Sequence, residues 1–288
     1  MTLTTSRILV QSFLVLFIGT MGLPALSQEA DTGTKPKASS STSSWDRFTL
    51  NAGGFVSANN SGIMIGSQQI GAGLQIDVED ALGLKTTSFV FRIDPKLRFG
   101  ANRRQFVSLS YFDVRRSASK VLEKDLEIGD QTFPLGTEVS SRFDLTIIRA
   151  KYGYSFFHDD RISMGASFGF YIMPLKFTAK APNIEEQNTH FIAPLPLLGF
   201  YSDFKINDKL YLAQSIEFLY LAYKGSSGKI TDLNVSLEHK TLKHFGLGAG
   251  ININALNIKV VDENTPLDFV GKIQMEYSGF MLYAKYYF

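Results

Sequence analysis

The sequence predicts an all-β fold: a single antiparallel transmembrane β-barrel of about ten strands, with eight or twelve as the alternative counts. Three observations predict it. From Trp45 onward, apolar side chains alternate with polar or small ones, which is the two-residue period of a strand. Most of the alternating segments have about 12–17 residues, enough to cross a bilayer at a tilt and more than soluble sheets usually need. The connections between them alternate between short and long, as they do in transmembrane barrels.

The first segment, residues 1–27, has the organisation of a secretory signal peptide. Arg7 provides a positive charge near the start, and residues 8–23 form an apolar stretch that is short for a membrane anchor. We expect cleavage after residue 27, with cleavage after Ala30 as the second choice. Residues 28–45 are rich in Ser, Thr and Lys and are predicted to form a disordered periplasmic linker.

The composition excludes several kinds of chemistry. The chain of 288 residues contains no cysteine, so disulfides, thiolate metal sites and a lipid-modified cysteine are excluded. The formal net charge of +2 is small and no basic block stands out, which argues against a nucleic-acid partner. The four histidines are scattered along the chain, so we expect no metal and no other cofactor.

The alternating segments and the turns between them define the predicted topology of the barrel, residues 46–288. The strands are expected at residues 46–57, 87–99, 104–117, 139–155, 161–177, 191–205, 209–223, 229–240, 243–258 and 267–288. Short turns are expected at residues 100–103, 158–161, 206–209 and 240–243, and longer connections at 58–86, 118–138, 178–190, 224–228 and 261–266. Because short turns face the periplasm in such barrels, both chain ends should lie there and the long connections outside the cell.

Each strand is predicted to turn an apolar face to lipid and a polar or small face to the lumen. Residues 161–177 are the clearest case, because Phe168 and other apolar side chains share one face while serine and glycine share the other. Aromatic residues beside the short turns are expected to form an interfacial girdle. These residues are Phe99, Phe106, Tyr152, Tyr154, Phe156, Phe157, Phe204 and Tyr211.

Two segments fit the alternation less well. Residues 63–78 also have a strand-like pattern, and we assign them to an extracellular extension folded over or above the rim. In the last segment the apolar residues change from odd to even positions at Ser278 and Gly279. A β-bulge would explain this change, and so would a tight hairpin that raises the strand count towards twelve. We favour the bulge, because the hairpin would turn every long connection towards the periplasm.

The C-terminal residues carry alternating apolar side chains and end on an aromatic residue. The residues in this pattern are Phe280, Leu282, Ala284, Tyr286 and Phe288. They resemble the terminal strand of the Gram-negative outer-membrane β-barrel family, and the resemblance implies recognition of this strand by the barrel assembly machinery. The resemblance covers residues 46–288 as architecture and identifies no subfamily. It implies export and insertion into the cell outer membrane, with outer-membrane lipid and lipopolysaccharide as partners.

Two enzyme types among small outer-membrane barrels have signatures that the sequence does not match. Phospholipases and lipid A deacylases of this class place a histidine two residues before a serine, and no histidine here has that neighbour. Omptin-like proteases need an aspartate pair facing a His-Asp pair at the extracellular rim. In the predicted topology only His190 lies near that rim, with Glu185 and Glu186 as its acidic neighbours. We therefore expect that the protein is not an enzyme.

Charged side chains at lumen-facing positions are the candidate site. They are Arg92, Asp94, Lys96, Arg98, Arg149, Lys151, Glu217, Asp232, Glu238 and Lys285. In a ring of ten strands, the mainly basic second to fourth strands lie opposite the acidic seventh and eighth. The groups either pair into a closed plug, which the narrow width of the barrel favours, or line a narrow path for small polar solutes.

The expected function follows from this architecture. We expect a monomeric, non-enzymatic barrel that is either a structural envelope component or a narrow passive pore. The alternative is surface recognition or adhesion through residues 58–86 and 118–138, because long loops often carry function. The composition of these two segments contains no specific ligand signature.

Overall fold

The computed structural model describes residues 45–65, 76–128, 131–182, 184–223, 226–260 and 271–288. These residues belong to one compact unit, Thr42–Phe288. The predicted signal peptide and nearly all of the predicted linker lie outside the described residues, so both stay predictions. In the part of the chain that is described, no helix combines the length and the apolar character that a membrane crossing requires.

The described residues form strands, one short α-helix and a 3-10 helix at Ala101–Arg103 in a turn. In chain order the strands and the α-helix are β1 (Phe48–Ile65), β2 (Ile76–Asp77), α1 (Val78–Leu82), β3 (Thr87–Phe99), β4 (Gln105–Val121), β5 (Leu126–Ile128), β6 (Gln131–Phe133), β7 (Glu138–His158), β8 (Ile162–Ala181), β9 (Ile184–Lys205), β10 (Leu210–Tyr223), β11 (Ser226–His239), β12 (Phe245–Val260) and β13 (Gly271–Tyr287).

Ten of these strands form a closed antiparallel barrel: β1, β3, β4 and β7 to β13, each beside its neighbour in the chain. The barrel closes where β1 pairs with β13, in a register that runs from Thr49 opposite Tyr287 to Ile65 opposite Gly271. Each of the ten strands is therefore paired on both sides, and the barrel presents no open sheet edge. The predicted all-β fold and the count of ten strands are confirmed.

We call the end of the barrel that holds the short turns its lower end. Residues 100–104, 159–161, 206–209 and 240–244 connect neighbouring strands there, close to the predicted turns. At the upper end, the predicted loop at 178–190 is wrong, because β8 continues to Ala181 and β9 begins at Ile184. Apolar residues that face inward on this stretch alternate with polar residues that face outward, as in a strand whose outer face meets water.

In the lower half of the barrel the predicted facing is correct. On β7, Tyr152 and Tyr154 turn outward, whereas Arg149 and Lys151 turn into the lumen. On β8, Phe168 is 48% exposed on the outer face. An apolar outer surface over a polar lumen is the arrangement of a barrel in lipid.

In the upper half the arrangement is reversed. On β7, Phe143 and Leu145 are buried inside the barrel, while Arg142 and Asp144 lie on the outer face. Polar groups placed in hydrocarbon would lose their hydrogen bonds to water, so this half must rise above the lipid. The expectation of a polar lumen is therefore wrong for the upper half, whose interior is built like that of a water-soluble protein.

The inward side chains of the upper half pack into one apolar core. It contains Phe55, Ile63, Phe112, Val114, Phe143, Leu145, Ile147, Tyr171, Met173, Leu175, Phe177, Leu195, Leu197, Ile230, Leu256, Ile258, Ile273, Met275 and Tyr277, together with residues from the upper connections. Burial of this much apolar surface is the main stabilising contribution to this half of the barrel.

The change of apolar positions in β13 has the same cause. Ile273 and Met275 face the upper core, whereas Phe280 and Leu282 face outward in the lower half. Pairing with β1 and β12 continues through Ser278 without a register shift. The predicted bulge at this position is wrong, and so is the alternative hairpin. The strand simply passes from one surrounding to the other.

The aromatic girdle is present in part. A bulge in β7 between Ser155 and Phe157 inserts Phe156, so two successive phenylalanines face outward at the lower end. Phe106 and Tyr211 do not belong to the girdle. Phe106 is 2% exposed inside the barrel, and Tyr211 lies in the lower mouth.

Candidate functional site

The lumen-facing charges of β3 lie in the lower half, below the apolar core. Arg92 Nε contacts Asp94 Oδ2 at 3.0 Å on the same strand. Lys96 Nζ and Arg98 Nη2 both reach Asp203 Oδ2 on β9, at 3.1 and 2.5 Å. Charged groups in a narrow lumen need such partners, because burial of an unpaired charge is costly.

Asp203 is the site residue that the sequence reasoning missed. Its side chain is mostly buried and accepts hydrogen bonds from two cations across the lumen. The available signal was its position on β9, two residues after Tyr201 on the lumen-facing side of a strand. A single carboxylate at an inward position predicts an ion pair in the lumen, just as the carboxylates on the acidic strands do.

Two further ion pairs connect opposite walls of the lumen. Arg149 Nη1 on β7 donates to Asp232 Oδ1 on β11 at 2.9 Å, and Lys151 on β7 pairs with Glu217 on β10. Asn254 Nδ2 also donates to Asp232, at 2.9 Å to Oδ2. The structure thus brings a basic wall and an acidic wall into direct contact, and their side chains cross the lumen between them.

The remaining pair of charges lies near the seam of the barrel. Lys285 Nζ contacts Glu238 Oε2 at 2.6 Å, and the Tyr283 hydroxyl donates to Glu238 Oε1 at 2.7 Å. Gly248 leaves room for the tyrosine ring, since a Cβ atom there would lie 2.2 Å from Tyr283 Cζ. The glycines on the inner face of β12 are thus explained by close packing in the lumen.

Three aromatic rings lie across the lumen above the charged layer. The ring centroids of Phe55 and Phe112 are 6.3 Å apart, and both pack edge-on against Tyr277, at 5.8 and 6.1 Å. Such T-shaped contacts are favourable beyond the burial of area alone. The cluster forms the floor of the upper apolar core.

The segment between β1 and β3 reaches into the upper lumen. Asp77 caps the N-terminus of α1, whose residues Val78 and Leu82 are fully buried in the apolar core. Arg116 of β4 forms a buried ion pair with Glu79 of α1 and donates to Ser61 Oγ at 2.8 Å. The described part of this segment, predicted to fold over the rim, therefore folds into the lumen and closes it.

The hairpin between β4 and β7 closes the lumen as well. Strands β5 and β6 pair as an antiparallel hairpin, and Leu126, Ile128 and Phe133 are buried in the upper core. The inward side of the hairpin is apolar, so its burial in the core removes it from water. Glu123 and Leu135 remain exposed on its outer side.

Below the aromatic cluster the lumen holds a chamber of about 170 Å³. Its wall contains Arg92, Lys96, Arg98, Ser108, Arg149, Lys151, Asp203, Glu238 and Lys285, and its lower end contains Trp45 and Asp46. Ser108 lies opposite Lys96 in the register of β3 and β4. The chamber has both charged and apolar side chains in its wall, among them Phe106 and Met281, and it is large enough for several water molecules or one small solute.

Trp45 and Asp46 lie across the lower mouth and contact the turns around it. Trp45 Nε1 donates to the carbonyl of Asp159 at 2.7 Å, and Lys240 Nζ contacts Asp46 Oδ2 at 2.9 Å. The Arg98 guanidinium carbon lies 5.2 Å from the centroid of the Trp45 ring. Although predicted to belong to a linker, Trp45 is 8% exposed and forms the floor of the chamber.

The candidate catalytic groups are not assembled in the described residues. His158, His239 and His244 lie at the lower end of the barrel. The side chains of His190, Glu185 and Glu186 lie outside what the structure describes, so the expected rim neighbourhood stays a prediction. No group of three or more histidines and carboxylates suited to a metal ion occurs in the described part of the chain.

The C-terminal pattern lies on the outer face of β13. Phe280, Leu282, Tyr286 and Phe288 are exposed there, and Ala284 shares their face. They are accessible to lipid and available to a partner during insertion. Their role as an assembly signal stays a prediction.

Comparison with known proteins identifies the architecture. No protein-family model matches the sequence, and no curated protein matches it either. The outer membrane protease OmpT from Escherichia coli matches the structure with a TM-score of 0.55 at 8% identity, covering 84% of this chain and 96% of OmpT. The translocator domain of the autotransporter NalP from Neisseria meningitidis matches with a TM-score of 0.40 at 10% identity, covering 99% of this chain and 97% of that domain.

At these sequence identities the similarity shows the fold alone, and this conclusion rests on the match to OmpT. The closed barrel of ten strands and its apolar outer belt agree with this match. The apolar outer belt indicates that the lower half is the part that lies in the membrane, and the upper half extends beyond it. The chain has the fold of a Gram-negative outer-membrane β-barrel protein.

Proposed function

We propose that this protein is a closed, non-enzymatic barrel that serves as a structural component of the outer membrane. The observation that carries the proposal is the obstruction of the lumen at two levels. In the upper half an ion would have to cross an apolar core in which Val78, Ile147 and Met173 are fully buried. In the lower half the ion pairs of Arg149 and Lys151 cross the remaining space.

The energetic argument favours closure over a passive pore. Transfer of an ion from water into an apolar interior costs many kcal/mol, and the described inward side chains of the upper half pack into a largely apolar core. Barrels of this width are generally filled by their own side chains, whereas open aqueous channels occur in much wider barrels.

The test is conductance in planar lipid bilayers. The refolded protein should insert without producing stepwise currents, and protease protection should verify that it is folded. Stable channels would contradict the proposal. In that case the lower lumen would be the filter, and Arg92→Glu with Arg98→Glu should alter the ion selectivity, because both side chains line it.

A second candidate function is recognition at the outer surface of the upper half. Arg142 and Lys176 face outward there, beside a groove of about 420 Å³ that also contains Thr178. The groove lies just above the lipid-facing residues Ile148 and Ile172, which pair in the register of β7 and β8. Basic groups at this height suit the phosphates of lipopolysaccharide, the partner expected from the sequence.

Lipopolysaccharide should stabilise the folded barrel if this surface binds it. Thermal unfolding in bilayers with and without lipopolysaccharide measures the effect. The double variant Arg142→Gln with Lys176→Gln should lose most of the stabilisation. Lys209→Gln removes a charge from an exposed lower turn and is the matched control. Equal stabilisation of all three proteins would exclude this surface.

Recognition by the upper hairpin can be tested separately. Val121 and Glu138 are register partners, so residues 122–137 can be replaced by a two-residue Asn-Gly turn that joins β4 directly to β7. Binding of an envelope or host molecule that survives this replacement does not depend on the hairpin.

A further inference from the structure

The chamber in the lower lumen has no role in a closed structural barrel. In the part of the chain that the structure describes, the apolar core closes it from above and Trp45 and Asp46 lie at its lower end, so access is from the lower end, which the predicted topology turns towards the periplasm. We propose that this chamber is a binding site for one small oxyanion of the size of phosphate, which enters from the periplasm.

The first support for this proposal is an uncompensated positive charge. Lys96 and Arg98 share the single carboxylate of Asp203, and both contact the same oxygen, Oδ2. The other cations of the chamber each have a carboxylate partner of their own, as Lys285 has Glu238. A bound anion would supply the negative charge that the pair of cations lacks.

The second support is a set of hydrogen-bond donors without partners. Ser108 Oγ is buried and has no hydrogen-bond partner among the described residues, and it lies opposite Lys96 across neighbouring strands. Arg92 is 6% exposed and its Nη1 atom likewise has no partner there. Both residues line the chamber. Buried polar atoms normally have partners, and an oxyanion accepts from both kinds of donor.

The third support is the size of the chamber and the charged groups in its wall. Its volume of about 170 Å³ exceeds that of a phosphate ion and leaves space for a few water molecules. The side chain of Lys96 is 26% exposed, so the ammonium group is accessible from the chamber while it holds Asp203. Cations held in an enclosed site of this kind attract anions more strongly than the same groups on an open surface.

The single tryptophan of the chain provides a direct signal for binding. Trp45 is the floor of the chamber, and its ring lies over Arg98, which belongs to the uncompensated cluster. Titration of the refolded full-length barrel with inorganic phosphate should change the tryptophan emission in a saturable manner. During the titration, the ionic strength is kept constant with the salt of a sulfonate that is too bulky to enter the chamber.

Substitutions in the chamber assign the signal to the site. Lys96→Gln removes the excess charge and leaves Arg98 paired with Asp203, so the variant should fold and bind phosphate about tenfold more weakly or worse. Ser108→Ala should weaken binding without a change in charge. Lys259→Gln removes the same charge from the outer face of the upper half and should bind like the wild type.

The proposal would be overturned by an emission that does not change, by a change that does not saturate, or by equal affinity in Lys96→Gln and Lys259→Gln. Because the chamber ends blindly below the apolar core, phosphate binding does not require conductance. Failure of this titration is therefore distinguishable from failure of the closed-barrel proposal, which the current measurement tests.

Discussion

Phe168 and Thr178 lie on the same outward face of β8, but their surroundings differ. Phe168 is in the lower half and meets hydrocarbon, whereas Thr178 is in the upper half and meets water. Phe168→Arg should destabilise the folded barrel by about 2–4 kcal/mol, because a charged group at mid-membrane depth loses its hydration. Urea unfolding in lipid vesicles measures the loss.

Thr178→Arg is the matched control for this substitution. The same residue is introduced on the same strand and face, and the change in unfolding free energy should stay within about 0.5 kcal/mol, as for most surface substitutions. Similar losses of unfolding free energy at the two positions would show that the boundary between the lipid-facing half and the water-facing half has been placed wrongly.

Two phenylalanines, one inside the barrel and one on its outer face, test the reversal of the apolar face between the two halves. Phe143 is 1% exposed in the upper core, whereas Phe89 is 75% exposed on the outer face of β3. Phe143→Ala should cost about 3–5 kcal/mol, because it leaves a cavity in a packed interior. Phe89→Ala should cost clearly less, because lipid can fill the space. The comparison uses unfolding free energies in the same vesicles, and an equal cost would argue against a packed upper core.

At the scale of elements, α1 depends on one buried ion pair. Glu79 pairs with Arg116 and also accepts a hydrogen bond from the backbone N–H of Ser61 at 2.8 Å. Glu79→Ala would leave the guanidinium buried without its carboxylate, which should cost about 3–5 kcal/mol. We expect faster hydrogen exchange in residues 76–84, measured by mass spectrometry.

Asp80→Ala provides the control for α1. It removes a neighbouring carboxylate of the same helix, but this side chain is exposed and has no buried cation to satisfy. Exchange in residues 76–84 should change little. If the two variants exchange alike, the helix is held by its apolar contacts and the ion pair contributes no specific stability.

The lower ends of the strands were largely predictable from the sequence, whereas the upper ends of several strands were not. A period of two identifies a strand whichever face is apolar, so β3 was predicted with its observed bounds. The alternation cannot distinguish an apolar face that meets lipid from one that meets a core. In β13 this ambiguity led to a bulge that does not exist, although Lys272 and Gln274 on the opposite face already indicated water.

At the scale of the whole molecule, Trp45 closes a chamber whose other end is sealed. Trp45→Ala should open the lower mouth. The chain has no cysteine, so Ser215→Cys introduces a single reporter in the chamber wall. Labelling of this thiol by a charged reagent should become about tenfold faster in the Trp45→Ala background, if the contacts of the ring contribute about 1.4 kcal/mol to closure.

Ser140→Cys, exposed on the outer face of β7, controls for the reagent itself. Its labelling rate should be the same with and without Trp45. If the chamber thiol reacts equally fast in both backgrounds, Trp45 does not limit access to the lumen.

The candidate site was only partly accessible to sequence reasoning. Inward positions follow from the strand period, which is why Arg149 and Asp232 were placed on facing walls. Which groups meet across the lumen depends on the stagger and tilt of the strands, and these follow from the closure of β1 on β13. The partnership of Lys96 and Arg98 with Asp203 depends on that closure, so the alternation alone does not reveal it.

The reversal of the two faces also fixes the depth at which the barrel sits. If the barrel sank by a few ångströms, Asp144 and Lys176 would enter hydrocarbon and lose their hydration. If it rose, Phe168 and Leu282 would leave the bilayer and meet water. Vertical displacement is opposed in both directions, so a thinner or thicker bilayer must adapt its own thickness to the protein.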